Sequence, residues 1–283
     1  PITNPSVNLT QLKISSDGNL VIVNHAAKTE SIVWSTHIVN KRTHSSINAT
    51  SSAVLLNSGN LVLKESRSSD LLAWQSFDYP TDTQLPGMKI GVDHRSGFAW
   101  NITSWSSPAD PSPGEYTVKL LTGGLPEFFL FRGPVKIFTT GPWNGVVLTG
   151  VPELKTEEYT FALVSNPNET YGTYYISSSS LLTRLVVEGS TGLLQRYVWA
   201  DGAWNNFWYH PTDPCDSYAR CGPFGFVYCD TAHSPECSCL PGFQPRSRKW
   251  SFRDGSGGCV RKTKLSCGDG DGFWPVNNMK LPE

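Results

Sequence analysis

Leu12-Lys13-Ile14-Ser15-Ser16-Asp17-Gly18-Asn19-Leu20-Val21-Ile22-Val23 returns as Val54-Leu55-Leu56-Asn57-Ser58-Gly59-Asn60-Leu61-Val62-Leu63, with an offset of 41 positions from Gly18 to Gly59 and again from Asn19 to Asn60. Each copy reads as strand, glycine turn, strand. Asp17-Gly18 and Ser58-Gly59 supply the positive φ that a tight hairpin needs, and Leu or β-branched residues flank them. One hairpin buries too little to stand alone, so the copies are expected to pack around shared apolar residues, with Trp34 and Trp74 as central fillers. The expected architecture is a β-prism or a related barrel-like arrangement of repeats.

Downstream, Trp74-Gln75-Ser76-Phe77-Asp78-Tyr79-Pro80-Thr81-Asp82-Thr83 closes the second copy with turn formers, and Pro86-Gly87 marks another turn. Between Trp100 and Trp199, the runs Tyr116–Leu120, Glu127–Phe131 and Leu185–Val187 read as short strands. Pro/Gly-rich punctuation such as Pro108–Gly114 separates them, and Ser177–Ser180 reads as a loop. Ten Trp, 25 Gly and 20 Pro against 2 Met in 283 residues suit short strands and tight turns better than long helices. The fold class is all-β.

All seven Cys lie between Cys215 and Cys267. Such a cluster marks a small disulfide-stapled module made in an oxidising compartment, and the odd count leaves one thiol without a partner. Four Asn-x-Ser/Thr acceptors, Asn8, Asn48, Asn101 and Asn168, fit the same compartment, whereas Asn4 is followed by Pro5. The formal net charge of -1 gives no reason to expect nucleic acid as a partner. No stretch approaches the roughly 20 apolar residues of a membrane span, and no signal peptide precedes Pro1, so a fragment of a secreted or membrane-anchored chain is expected.

Several long runs resemble the plant S-locus glycoproteins and S-domain receptor-like kinases. They are Trp74–Thr83, Ser107–Tyr116, Gly141-Pro142-Trp143-Asn144-Gly145, Cys215–Gly222 and Cys237–Phe243. The resemblance implies an order of bulb-type lectin domain (1–98, truncated at its start), S-locus glycoprotein domain (99–212) and EGF-like module (213–262). A linker and the start of a PAN module follow (263–283). In receptor members a membrane span and a cytoplasmic Ser/Thr kinase come next. The implied role is extracellular recognition of a secreted peptide or small protein, with homo- or heterodimerisation of the ectodomain, in pollen recognition or immunity.

The bulb-type lectins to which the first domain is similar bind mannose through Gln-x-Asp-x-Asn-x-Val-x-Tyr. Asp17, Asn19 and Val21 match, while Ser15 and Val23 stand where Gln and Tyr belong. The second copy keeps Asn60 and Val62 alone. Losing half of a small set of sugar hydrogen bonds costs most of the affinity, so Asp17 and Asn19 are expected to build the turn and the lectin fold to serve as scaffold. A secreted mannose-binding glycoprotein is the alternative.

In the Cys segment, similarity to EGF-like modules implies Cys215–Cys229, Cys221–Cys237 and Cys239–Cys259, one of many connectivities open to six thiols, with Cys267 left over. No Cys-x-x-Cys pair exists, His210 and His233 lack ligand spacing, and Asp269–Gly272 lacks the later Glu of an EF-hand, so no metal or other cofactor is expected. Trp100, Trp105, Trp143, Trp199, Trp204 and Trp208 are read as core filler before a stacking surface. Arg246, Arg248, Lys249, Arg253, Arg261, Lys262 and Lys264 are read as a solvated face before a site for an acidic ligand. No metalloprotease, hydrolase, phosphate-loop or kinase signature is present, and Glu157-Glu158 offers no sign of a pocket.

Overall fold

A computed structural model describes residues 10–25, 30–38, 52–64, 72–151, 157–178, 180–228 and 236–277. Among them the regular structure is β-strand joined by turns and short 3-10 segments, with no α-helix.

The two sequence copies form two like sheets. In the first, β1 (Thr10–Ile14), β2 (Leu20–Asn24) and β3 (Ser31–Ser35) pair antiparallel. In the second, β4 (Ser52–Leu55), β5 (Leu61–Lys64) and β6 (Leu72–Gln75) do the same. Gly18 and Gly59 have φ of 83° and 87°, a region closed to most L-residues, which is why glycine sits at both turns. Leu20, Val21 and Val23 of β2 and Val62 and Leu63 of β5 are buried. Trp34 and Trp74 depart from the expectation. Trp34 keeps 39% of its surface, and the two rings meet edge to face at 5.9 Å, because the short middle strands alone supply the sealed apolar face.

A second unit has three four-stranded sheets. The first is β10 (Ile102–Ser107), β11 (Asp110–Leu121), β12 (Glu127–Arg132) and β13 (Val135–Pro142), in that order. The next runs β14 (Tyr159–Ser165), β15 (Glu169–Ile176), β8 (Ile90–Asp93), β9 (Ala99–Trp100). The last runs β18 (Ala203–His210), β17 (Leu194–Ala200), β16 (Thr183–Val187), β7 (Thr83–Gln84). Ile90, Ile102, Val118, Leu130, Phe138, Leu185, Val187 and Leu194 meet in one buried cluster that all three sheets share. β7 and β8 precede residue 98 and yet pair with β16 and β15, so the unit draws strands from both sides of that position.

Two details of this unit were hidden in the sequence. Pro108–Gly114 is not mere punctuation: β11 runs through Pro111 and Pro113, and the ladder to β10 shifts register at Trp105 and Ser107. Proline is tolerated where a bulge has already removed the need for its N–H. Gly91 lies where β8 presses against β15, and a Cβ there would stand 2.1 Å from the Thr170 carbonyl oxygen. Gly91→Ala is therefore expected to cost about 1–3 kcal/mol, read as a lowered urea midpoint, as overpacking does elsewhere.

The Cys-rich end carries two hairpins, β19 (Gly225–Tyr228) with β20 (Glu236–Cys239) and β21 (Phe243–Pro245) with β22 (Cys259–Arg261). It meets the second unit where the Tyr218 N–H donates to the Ile137 carbonyl at 2.9 Å and the Tyr218 ring packs edge-on against Phe129.

Candidate functional site

The turn between β1 and β2 is made from the residues a mannose strand would hold out to sugar. Asp17 accepts from the Asn19 N–H at 3.2 Å, from the Asn19 side-chain amide at 3.0 Å and from the Ser15 hydroxyl. These bonds, that of Ser15 foremost, hold the Asp17 carboxyl below its ordinary value. The Asn19 side-chain oxygen accepts from Thr36 Oγ1 at 3.0 Å and the Ile38 N–H at 2.7 Å. Val21 is 2% exposed and belongs to the core.

The second turn repeats the device. Asn60 donates to Gln75 Oε1 at 3.0 Å, and its oxygen accepts from Ser76 Oγ and the Phe77 N–H, both at 3.2 Å. Thr36 and Ser76 in turn accept from the Leu20 and Leu61 N–H groups. In both copies one Asn thus ties the turn to the residue just past the third strand. The repeat flagged the two Asn, but the hydroxyl that completes each clamp is 17 and 16 residues further on and carried no local signal. Asn60→Ala strips these bonds from a buried residue and is expected to cost about 1–3 kcal/mol in urea unfolding. Because its folded value is depressed, the stability that Asp17 contributes is present above its unfolded value, near 3.8, and is lost as pH falls through the folded one. An NMR titration of the Asp17 carboxyl should accordingly give a midpoint below 3.8.

Of the glycosylation acceptors, Asn8 and Asn48 lie outside the described residues. Asn101 is half-buried between β9 and β10, and its sequon Thr103 shares a hydrogen bond with Thr117 at 3.2 Å. Asn168 is exposed in the β14–β15 turn, where Thr170 Oγ1 lies 2.9 Å from His94 Nε2.

The tryptophans divide. Trp100 is buried, and Trp143 and Trp208 pack against the shared core. Trp199 and Trp204 are exposed at 43% and 37%, meet edge to face at 5.5 Å, and carry Arg184 over the Trp204 ring. An open cleft of about 490 Å³ beside β11 and β12 is lined by Gly114, Glu115, Thr117, Arg132, Gly133 and Val135. Its charges answer each other, with Arg132 Nε 2.9 Å from Glu115 Oε2.

In the Cys-rich module Cys221 is bonded to Cys237 and Cys239 to Cys259. Cys215 is disulfide-bonded, Cys229 lies outside the described residues, and Cys267 is a free, exposed thiol. Among the described residues no cluster of His, Cys, Asp or Glu is placed to hold a metal. His210 instead stacks on Phe138, with Nδ1 3.8 Å from Asp216, a carboxylate that also accepts from the Thr212 hydroxyl and N–H. Asp271, in the stretch weighed against a calcium loop, is engaged by Ser266 and the Gly268 N–H.

A family model described as D-mannose binding lectin matches residues 1–106, and one described as S-locus glycoprotein domain matches residues 138–247. Over 98% of the chain, 46% of residues are identical to the receptor-like serine/threonine-protein kinase SD1-8 of Arabidopsis thaliana, of which the chain covers 32%. Over 99% of the chain, 43% are identical to the S-locus-specific glycoprotein S6 of Brassica oleracea, of which it covers 63%. The chain belongs to the S-locus glycoprotein and S-receptor-like kinase family. It is also 40% identical over its full length to the G-type lectin S-receptor-like serine/threonine-protein kinase SRK of Arabidopsis thaliana. As an S-locus glycoprotein relative it spans about a third of these kinases and under two thirds of the S6 glycoprotein. No helix among its described residues is long and apolar enough to cross a membrane.

Proposed function

We propose that the chain is the extracellular recognition part of a plant S-domain receptor-like kinase. It reads a secreted peptide or small protein and signals through homo- or heterodimerisation of the ectodomain, in pollen recognition or immunity. Catalysis belongs to a cytoplasmic Ser/Thr kinase of the parent protein and not to these residues. The observation that carries the reading is the closed hydrogen-bond set of the two lectin turns, in which Asp17, Asn19 and Asn60 answer neighbouring side chains and backbone. A sugar would have to displace bonds that the fold itself needs. The lectin repeats then act as scaffold, residues 213–262 as an EGF-like module closed by Cys215–Cys229 beside the two bonds above, and 263–283 as the approach to a PAN module. Glycans on Asn8, Asn48, Asn101 and Asn168 fit the same extracellular setting.

Ligand choice is assigned to loops that vary without disturbing the core, around Gly123-Gly124 and Ser177–Ser180. A Cβ at Gly123 or Gly124 meets no atom within 4 Å, so Gly124→Ser is expected to leave the urea midpoint unchanged. The decisive test is binding of the folded, glycosylated chain to a mannose-glycan array beside Asp17→Ala. The expected result is no mannose binding by either. Mannose binding that Asp17→Ala abolishes would replace this reading with that of a secreted mannose-binding glycoprotein.

A further inference from the structure

Between Arg246 and Lys264 the chain places seven cations, Arg246, Arg248, Lys249, Arg253, Arg261, Lys262 and Lys264, against the single carboxylate of Asp254. The chain as a whole has a net charge of -1, so the remainder is net acidic and this stretch carries a local excess of positive charge. All seven are exposed, and none forms an ion pair among the described residues. Asp254 is already engaged by the Ser256 hydroxyl at 2.5 Å and the Ser256 N–H at 3.1 Å.

The fold collects these charges on one small frame. The β21–β22 hairpin is locked by Cys239–Cys259, by the Arg246 N–H on the Gly258 carbonyl and by the Lys262 N–H on the Gly242 carbonyl. The 3-10 segment Arg248–Phe252 lies in the loop between its strands. Phe252, 85% exposed, stands in sequence between Lys249 and Arg253. Arg261 lies over Phe243, which is stacked on Phe224.

We infer that this face binds an acidic polysaccharide whose sugar rings carry carboxylates, a polyuronate. A single ion pair between exposed side chains is worth little, because water screens it and two flexible chains must be stilled. A polymer with a charge on every ring engages many of the cations together and releases their counterions, so the weak pairs act in concert. Phe252 gives the apolar face of a pyranose a surface to lie on, which an acidic peptide does not require. This goes beyond the peptide-ligand reading and uses none of its loops.

The test is a titration of the glycosylated chain with polygalacturonate, with poly-L-glutamate and with neutral dextran, at low and at physiological salt. Polygalacturonate is expected to bind, more weakly at physiological salt, and dextran not at all. Arg248→Glu, Lys249→Glu and Arg253→Glu together should weaken binding at least about tenfold, the scale of three exposed pairs lost, while lysine at the two arginine positions retains it. Phe252→Ala should weaken polygalacturonate and spare poly-L-glutamate. Polygalacturonate bound no better than dextran, or undiminished by the triple reversal, overturns the inference. Equal binding of both polyanions with no effect of Phe252→Ala overturns it too, and assigns the face to an acidic protein.

Discussion

Phe138→Ala is expected to lower the unfolding free energy by about 3–5 kcal/mol, the range seen when a fully buried aromatic is truncated in a close-packed interior. Phe138 is 1% exposed on β13 and sits in the cluster that the three four-stranded sheets share. Its ring is stacked on His210 at 5.2 Å, and His210 packs at 4.8 Å on Trp208, so one side chain joins the end of β18 to the opposite sheet. His210 also faces Asp216, next to the first cysteine of the Cys-rich module, so the cavity would open beside the joint between module and sheets. The measurement is a urea transition followed by near-UV circular dichroism. A lowered midpoint with an unchanged slope is expected, and Phe138→Leu should recover most of the loss. An unfolding free energy within about 0.5 kcal/mol of the parent's, the scatter of surface changes, would show that the sheets do not depend on this contact.

The sequence made the strands legible wherever local chemistry decided them. Gly18 and Gly59 announced their turns because no other residue enters that backbone region cheaply, and Tyr116–Leu120, Glu127–Phe131 and Leu185–Val187 lie within β11, β12 and β16. What a partner far along the chain decides was not legible. β7 and β8 look like the tail of the second repeat, and only pairing with β16 and β15, some 80 to 100 residues onward, moves them into the second unit. Trp34 and Trp74 looked like core because aromatic residues usually are, yet the sheets that carry them leave those faces half-open. The polar side of the candidate site divides in the same way. Asp17 and Asn19 could be read as a turn from their spacing, but Thr36, Ile38, Ser76 and Phe77, which saturate the two Asn, appear only once the third strand has come back.

The second large effect concerns the module that carries the basic face. Replacing Cys239 and Cys259 together by Ser opens a loop of 20 residues and should cost about 3 kcal/mol, since the bond chiefly restricts the unfolded chain. So small a module has little core of its own to absorb such a loss, with Cys259 and Cys221 its buried apolar residues. Opening is therefore expected to be local. The amides of Arg246, Cys259 and Lys262, which donate to Gly258, Pro223 and Gly242, should lose hydrogen-exchange protection. Those of β11 and β12 should keep theirs, because their ladder and core lie in a different unit. Protection lost evenly across both would show instead that the module and the sheets unfold as one. The same double variant keeps all seven cations but not the frame that gathers them. Polygalacturonate affinity that falls with the lost protection makes the organised face the binding element, whereas unchanged affinity would mean that the cations bind as a loose chain.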